Sequence, residues 1–161
     1  MADIRTFIAI EIPFAVMQQL RCVIDSLAFL GDRVRWVKPE GAHLTLKFLG
    51  DVHPDRVPEI VAVVQQCAAV GAPMTLQTGG VGGFPNLAKA RVLWLGIRGD
   101  LEALGDLQRC LEQQLAPLGF EPERRKFFPH LTAGRARRQP VTVDAAGLQP
   151  VRPVHFRVDR L

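Results

Sequence analysis

His43-Leu44-Thr45-Leu46 and His130-Leu131-Thr132-Ala133 carry the same triplet, His-Leu-Thr, and use two of the four histidines in a chain of 161 residues. If Leu and Thr fell at random at this chain's own frequencies, two of four histidines would be followed by Leu-Thr with a probability on the order of one in ten thousand. The repetition therefore reports organisation. In a strand, side chains alternate between faces, so each His shares a face with its Thr, about 7 Å away along the backbone, while Leu44, Leu46, Leu131 and Ala133 face the other way. One face of each strand is polar and can meet solvent; the other is apolar and can be buried.

The flanking patterns repeat with the motifs. Ile4, Thr6, Ile8, Ile10 and Ile12 alternate with Arg5, Phe7, Ala9 and Glu11, which is a strand pattern. Pro13 then opens a helix in which Val16, Leu20, Val23, Ile24 and Leu27 recur at helical spacing, and Gly31 supplies a stop. Residues 33–38 read as a short strand ahead of the first motif strand. Residues 91–97 begin the order again: a strand, Asp100 as an N-cap, Leu101, Leu104, Leu107, Leu111, Leu115 and Leu118 on one helical face, Gly119 as a stop, then the second motif strand. His43 and His130 stand 87 positions apart, as do the helix openers Pro13 and Asp100. This register predicts a single domain over residues 1–161 with an internal repeat, approximately 4–78 and 90–161. Packing the copies about a pseudo-twofold axis would turn the two motifs toward each other. Gly79-Gly80-Val81-Gly82-Gly83, with Pro85, reads as a hinge or loop between copies. Residues 135–140 read as a basic loop, and residues 151–160, with Val154, Phe156 and Val158 alternating against His155, Arg157 and Asp159, as a closing strand.

A hydrophobic content of 48% supports a packed core. No apolar run approaches the roughly 20 residues of a membrane span, and the first residues lack the pattern of a signal peptide, so a cytoplasmic protein away from any membrane, acting as a monomer, is expected. Cys22, Cys67 and Cys110 are odd in number, far apart and each set in an apolar helical pattern; they read as buried reduced thiols, with no disulfide and no cysteine metal site. The net charge of +4 favours a polyanionic partner, although Lys and Arg also simply solvate surfaces.

Two imidazoles with ordinary pKa values near 6.5, on opposite sides of a pocket that also holds two hydroxyls, supply acid-base symmetry. In-line displacement at phosphorus needs one group to take a proton from the attacking oxygen and another to give one to the leaving oxygen opposite. Thr45 and Thr132 are placed to hydrogen-bond the non-bridging oxygens. The near-symmetry of the motifs leaves open which histidine is acid and which base. His53 and His155 lack the pattern and read as surface or structural residues. Lys47 shares the face of His43 by strict alternation. Arg135 falls opposite His130 by the same rule and needs a bulge or turn to reach a phosphate. Arg124, Arg125, Lys126, Arg137 and Arg138 flank the second motif and read either as nucleic-acid electrostatics or as a solvated basic edge. Trp36, Phe84, Phe127 and Phe128 could stack on a base, although aromatic residues more often belong to the core. No third ligand matches His43 and His130 in both copies, and the glycine cluster lacks the Lys-Ser/Thr ending of a phosphate loop. Neither a metal nor a cofactor is expected.

Paired His-x-Thr-x motifs in two halves are the hallmark of the two-histidine (2H) phosphoesterases, which this chain resembles along most of its length. The likeness includes Arg5-Thr6-Phe7-Ile8-Ala9, Trp36-Val37, Leu46-Lys47-Phe48-Leu49-Gly50, Gly83-Phe84-Pro85, Arg91-Val92-Leu93-Trp94 and Phe128-Pro129-His130. The chain looks like the bacterial and archaeal RNA 2′,3′-cyclic phosphodiesterase branch, historically called 2′-5′ RNA ligase. The resemblance implies a bilobal α+β fold in which two antiparallel sheets line a central cleft, with helices on the outside. It implies metal-independent hydrolysis of the 2′,3′-cyclic phosphate of RNA ends or nucleotides to a 2′-phosphate. It assigns His43 as proton donor, His130 as proton acceptor, and Thr45, Thr132 and Arg135 as phosphate binders; Gly134 stands where the family more often has Ala. Family members commonly run on past the Val154 to Val158 pattern with another strand, whereas this chain stops at Leu161, which could leave a sheet edge unpaired. The alternatives are joining of a cyclic phosphate to a 5′-hydroxyl by the same site, as a 2′-5′ RNA ligase, and non-catalytic binding of RNA ends.

Overall fold

The computed structural model describes residues 1–161. The isoleucine alternation forms strand β1 (Ile4–Glu11), which buries Ile8 and Ile10 and exposes Arg5, Phe7 and Glu11. Pro13 stands at the N-cap of helix α1 (Phe14–Ser26), whose buried stripe is Val16, Leu20 and Val23. The helix ends at Ser26 and passes into 3₁₀ turns over Ala28–Arg33. Gly31, the expected stop, lies inside those turns with φ of 56°, a conformation that glycine adopts without a Cβ penalty. Strand β2 (Val34–Trp36) is shorter than residues 33–38, and strand β3 (His43–Val52) begins at the first motif histidine. Helix α2 (Val57–Val70), strand β4 (Met74–Phe84) and strand β5 (Val92–Gly99) follow.

The leucine run becomes helix α3 (Leu101–Leu115), with Leu104, Leu107, Leu111 and Leu115 buried. Asp100 occupies its N-cap position, but the Asp100 carboxylate accepts the backbone N–H of Thr75 at 2.8 Å instead of capping the helix. Gly119, at φ of 93°, closes the short 3₁₀ turn beyond α3. Strand β6 (His130–Ala136) starts at the second motif histidine, and strand β7 (His155–Val158) is the centre of the expected closing strand. Helices α1 and α3 thus start 87 residues apart, as do β3 and β6.

All strand pairs are antiparallel and form two sheets, one of β1 and β3, the other ordered β2-β6-β5-β4-β7. Strands β2 and β4 from the first half thus join the sheet that carries the second motif. The helices cross over as well: α1 packs against β6, and α3 packs against β3. Leu44, Leu46, Leu131 and Ala133, the apolar faces of the motif strands, belong to one continuous buried cluster. On its side away from β3, β1 pairs with no strand. No helix is long and apolar enough to cross a membrane.

Three expectations are corrected. The glycine run is not a hinge, because β4 passes straight through it. Pairing with β5 slips between Thr78 and Val81 and absorbs Gly79 and Gly80 as a bulge, while a Cβ on Gly82 would overlap the Trp94 indole. Gly82 and Gly83 serve close approach inside a sheet, where a side chain would not fit. The thiols are not all buried and reduced either. Cys67 of α2 and Cys110 of α3 form a disulfide with a Cα–Cα distance of 5.8 Å, and Cys22 is free and exposed. Helical periodicity shows that each cysteine lies near an apolar stripe, but which stripes face each other is set by the packing of α2 on α3.

Lys47 is the third. The β1–β3 register slips between Ile8 and Ala9, so that Ala9 pairs with Thr45 but Ile8 pairs with Lys47, leaving Leu46 unmatched. The bulge turns Lys47 away from the face of His43. Lys47 is only 3% exposed, and its Nζ donates to Glu112 Oε2 at 2.8 Å and to the Glu121 carbonyl at 2.9 Å. Gln108 Nε2 and the backbone N–H of Glu123 also donate to the Glu112 carboxylate, at 3.1 and 3.2 Å. This network ties β3 to α3 and to the chain leading to the second motif. Lys47→Met should therefore lower unfolding free energy by about 3 kcal/mol by stranding Glu112. Lys47→Met combined with Glu112→Leu should recover most of the loss. Urea unfolding of both variants measures this, and a single-variant loss well under about 1 kcal/mol, the range of exposed pairs, would show that the pair behaves as a solvated one.

Candidate active site

The motif histidines stand at the first positions of β3 and β6, strands from different sheets that approach each other in space. His43 and Thr45 lie opposite Glu11 and Ala9 of β1. The His43 imidazole stacks face to face on Phe7, with centroids 4.4 Å apart and planes 9° from parallel. His130 and Thr132 lie opposite Gly96 and Trp94 of β5. Neither motif threonine hydroxyl is engaged within the protein; the Ser and Thr hydroxyls that are belong to Thr6, Ser26, Thr78 and Thr142.

The two imidazoles differ in their surroundings. His130 Nδ1 lies 2.7 Å from the Phe128 carbonyl oxygen. A carbonyl only accepts, so Nδ1 carries the proton, and in the neutral ring Nε2 keeps its lone pair. The ring stands edge-on to Phe84 at 5.0 Å, with Trp94 and Phe128 at 6.3 and 6.4 Å. Burial in these surroundings pushes the His130 pKa below its ordinary value; the bond to Phe128 opposes the shift, and the Arg135 charge adds to it.

Arg135 reaches this face through a bulge. Between β5 and β6, Trp94 pairs with Thr132 but Leu93 pairs with Gly134, so Ala133 is the extra residue. Arg135 therefore comes round to the side of His130 and Thr132. The bulge falls on the residue after the motif threonine, as it does at Leu46 in β3. One bulge removes a cation from the site and the other adds one. Gly134 is required here, because a Cβ would press on Val34 and Trp36 of β2.

Around His130, Phe84, Trp94 and Phe128 form an aromatic group with centroid separations of 5.1 to 5.6 Å. Phe128 is 50% exposed, and the Trp94 indole N–H is buried without a protein partner. Of the four aromatic candidates, Phe84 and Phe128 thus border the site, while Trp36 and Phe127 pack on the core. Phe7 and Trp94 were not singled out by the motif reading. Their signal is alternation, since each faces the same way as a motif residue on the neighbouring strand. His53 accepts the Asp55 N–H at 3.3 Å in an exposed turn, and His155 is exposed on β7; neither joins the site. Arg124, Arg125, Lys126, Arg137 and Arg138 are all exposed on either side of β6. No three His, Cys, Asp or Glu side chains gather as a metal-binding group.

The family model of the 2′-5′ RNA ligase superfamily matches residues 13–161. The RNA 2′,3′-cyclic phosphodiesterase of Methanothermobacter thermautotrophicus is 36% identical over 134 residues, covering 83% of this chain and 72% of that protein. Its namesake from Thermotoga maritima is 35% identical over 136 residues, covering 84% and 72%. Escherichia coli LigT complexed with 3′-AMP superposes with a TM-score of 0.75 at 26% identity, covering 98% of this chain and 84% of that one. TT0787 of Thermus thermophilus gives 0.76 at 25% identity, with 96% and 84% covered.

Histidine NMR titration tests the asymmetry. The His130 ring should titrate below the ordinary value of about 6.5. Arg135→Gln should raise its pKa without fully restoring that value, because burial is the larger cause. An unshifted His130 would show that water solvates the ring.

Proposed function

Because this chain belongs to the 2′-5′ RNA ligase superfamily, we propose that it hydrolyses the 2′,3′-cyclic phosphate of RNA ends and of cyclic nucleotides to a 2′-phosphate. The observation that carries the assignment of roles is the state of His130. A ring with Nδ1–H held by a carbonyl, a free Nε2 and a lowered pKa is neutral near pH 7, as a general base must be.

His130 Nε2 takes a proton from water as the water oxygen attacks phosphorus opposite the 3′-oxygen. The new P–O bond forms, the P–O3′ bond breaks, and protonated His43 delivers its proton to the departing 3′-oxygen. A 3′-hydroxyl and a 2′-phosphate result. Thr45 and Thr132 donate hydrogen bonds to the non-bridging oxygens, and Arg135 meets their charge as it grows in the transition state. The two imidazoles move every proton, so the reaction needs no metal. One chain supplies both motifs, which fits a monomer, and an RNA substrate fits a cytoplasmic enzyme.

Ligation would use the same groups with a 5′-hydroxyl in place of water, but water at about 55 M outcompetes scarce RNA ends unless binding supplies a large effective molarity. Simple phosphate binding is less well served by this site. A holder of anions gains from a charged imidazolium, whereas His130 is held neutral.

His43→Ala and His130→Ala should each slow turnover of 2′,3′-cyclic AMP by roughly 10²- to 10⁴-fold, with the double variant little worse, since acid and base act together. Near wild-type rates in either would remove that histidine from the mechanism. Phosphorus NMR should show a 2′-phosphate product; a 3′-phosphate would keep the acid-base pair but reverse the docking of the ribose. Activity should survive exhaustive chelation and follow a bell-shaped pH profile. The acidic limb belongs to His130: the base works above its pKa and is lost as pH falls through it. With that pKa lowered, the limb should lie below about 6.5, and Arg135→Gln should move it upward. A limb at or above the ordinary value would assign the base elsewhere.

A further inference from the structure

We propose that Arg33, Arg35, Arg135 and Arg137 form a row that binds the phosphodiester backbone of an RNA strand whose 3′ end lies at the two histidines, making an oligonucleotide end the preferred substrate over a free cyclic nucleotide. The proposal rests on the phosphodiesterase reading above. Strands β2 and β6 pair with Arg35 opposite Arg135, and two residues further, beyond the Val34–Ala136 pair, the Arg33 carbonyl accepts the Arg137 N–H at 2.9 Å. All four arginines are exposed, while Val34, between the first two, is buried. The pairing sets them as a two-by-two block on one face, the face that Arg135 shares with His130 and Thr132.

Cross-strand neighbours stand about 5 Å apart at Cβ, and like charges directly opposite destabilise a sheet. Here two such pairs adjoin, and no carboxylate relieves them. The protein's salt bridges engage Arg21, Lys47, His53, Arg56 and Arg109, and none of these four. Arg33 Nε donates to the Leu30 carbonyl at 3.1 Å, which fixes its stem and neutralises nothing. A row of unpaired guanidinium groups is complementary to a polyanion, whose phosphates each accept their forked donors. The direction of β6 identifies which polyanion. From His130 the strand runs past Thr132 to Arg135 and Arg137, and at about 3.3 Å per residue the row ends roughly 20 Å from the reacting phosphate. A mononucleotide engages only the beginning of that track, whereas a chain continuing in the 5′ direction can lie along it.

The test compares wild type with the triple variant Arg33→Gln, Arg35→Gln, Arg137→Gln, leaving Arg135 in place. Two substrates are used, an RNA octamer ending in a 2′,3′-cyclic phosphate and 2′,3′-cyclic AMP. At low salt, kcat/KM on the octamer should fall on the order of tenfold or more, and the slope of its log–log salt dependence should flatten by about 2, near 0.7 for each lost phosphate contact. On cyclic AMP, kcat/KM should stay within about twofold, because phosphate positioning there is local. The melting temperature should be equal or higher, since like charges have been removed. Fluorescence anisotropy with an octamer ending in a 2′-phosphate reads binding without turnover; the triple variant should bind more weakly by a similar factor, and Arg137→Gln alone by part of it. Unchanged octamer kinetics and binding, or equal loss on both substrates, would overturn the proposal. Salt-dependent octamer binding that the variant loses, in a wild type that turns over neither substrate, would uphold the arginine row and refute the phosphodiesterase reading. Turnover of both substrates that ignores the substitutions would do the reverse.

Discussion

The contents of the cleft depend on one extra residue directly after the threonine of each motif. Side chains in a strand alternate, so inserting a residue reverses the facing of everything beyond it. In β3 the insertion at Leu46 sends Lys47 inward and leaves Phe48 exposed; in β6 the insertion at Ala133 sends Arg135 outward. The His-Leu-Thr triplets precede the bulges and keep simple alternation. The two strands are therefore alike up to the threonine and differ beyond it in where they place their cation, Lys47 turned into the interior and Arg135 toward the histidines.

The inward turn of Lys47 has a packing role. Helix α3, from the second half, lies behind the first motif strand, and α1, from the first half, lies behind the second. Each motif is thus held against the other half of the chain, and the Lys47–Glu112 pair is the polar pin in one of these contacts. A buried ion pair is a weak source of net stability but costly to break on one side only. It constrains how α3 sits on β3, and through Glu121 and Glu123 it also holds the segment that leads to β6.

Chemical asymmetry follows from the environment of each ring. His43 is covered by one parallel aromatic face, whereas His130 is enclosed by three aromatic side chains, bonded to a carbonyl and set near a guanidinium. Desolvation and positive charge both disfavour the imidazolium. Two residues with the same local sequence thus stand in different surroundings, and that difference is what the proposed division of proton-transfer roles uses. The glycines of β4 contribute to this, since Gly82 makes the space in which the Trp94 ring lies beside His130.

By itself the sequence determined the features set by local periodicity. The alternation of His43 with Leu44 and of His130 with Leu131 established the polar faces, the leucine spacing in α3 its buried stripe, and the 87-residue offset the matched order of helix and strand. Family likeness added the chemistry that such faces perform. What only the tertiary structure decided depends on pairing between distant segments. A bulge exists only relative to a partner strand, so the opposite fates of Lys47 and Arg135 could not be derived from alternation along one strand. The glycine run resembled a loop because its large neighbour, Trp94, lies on another strand, and Cys67 met Cys110 because two helices pack. That His130 is the ring with the lowered pKa could not be read from two identical triplets, because a pKa is set by the groups that surround a ring in space and not by those beside it in the chain.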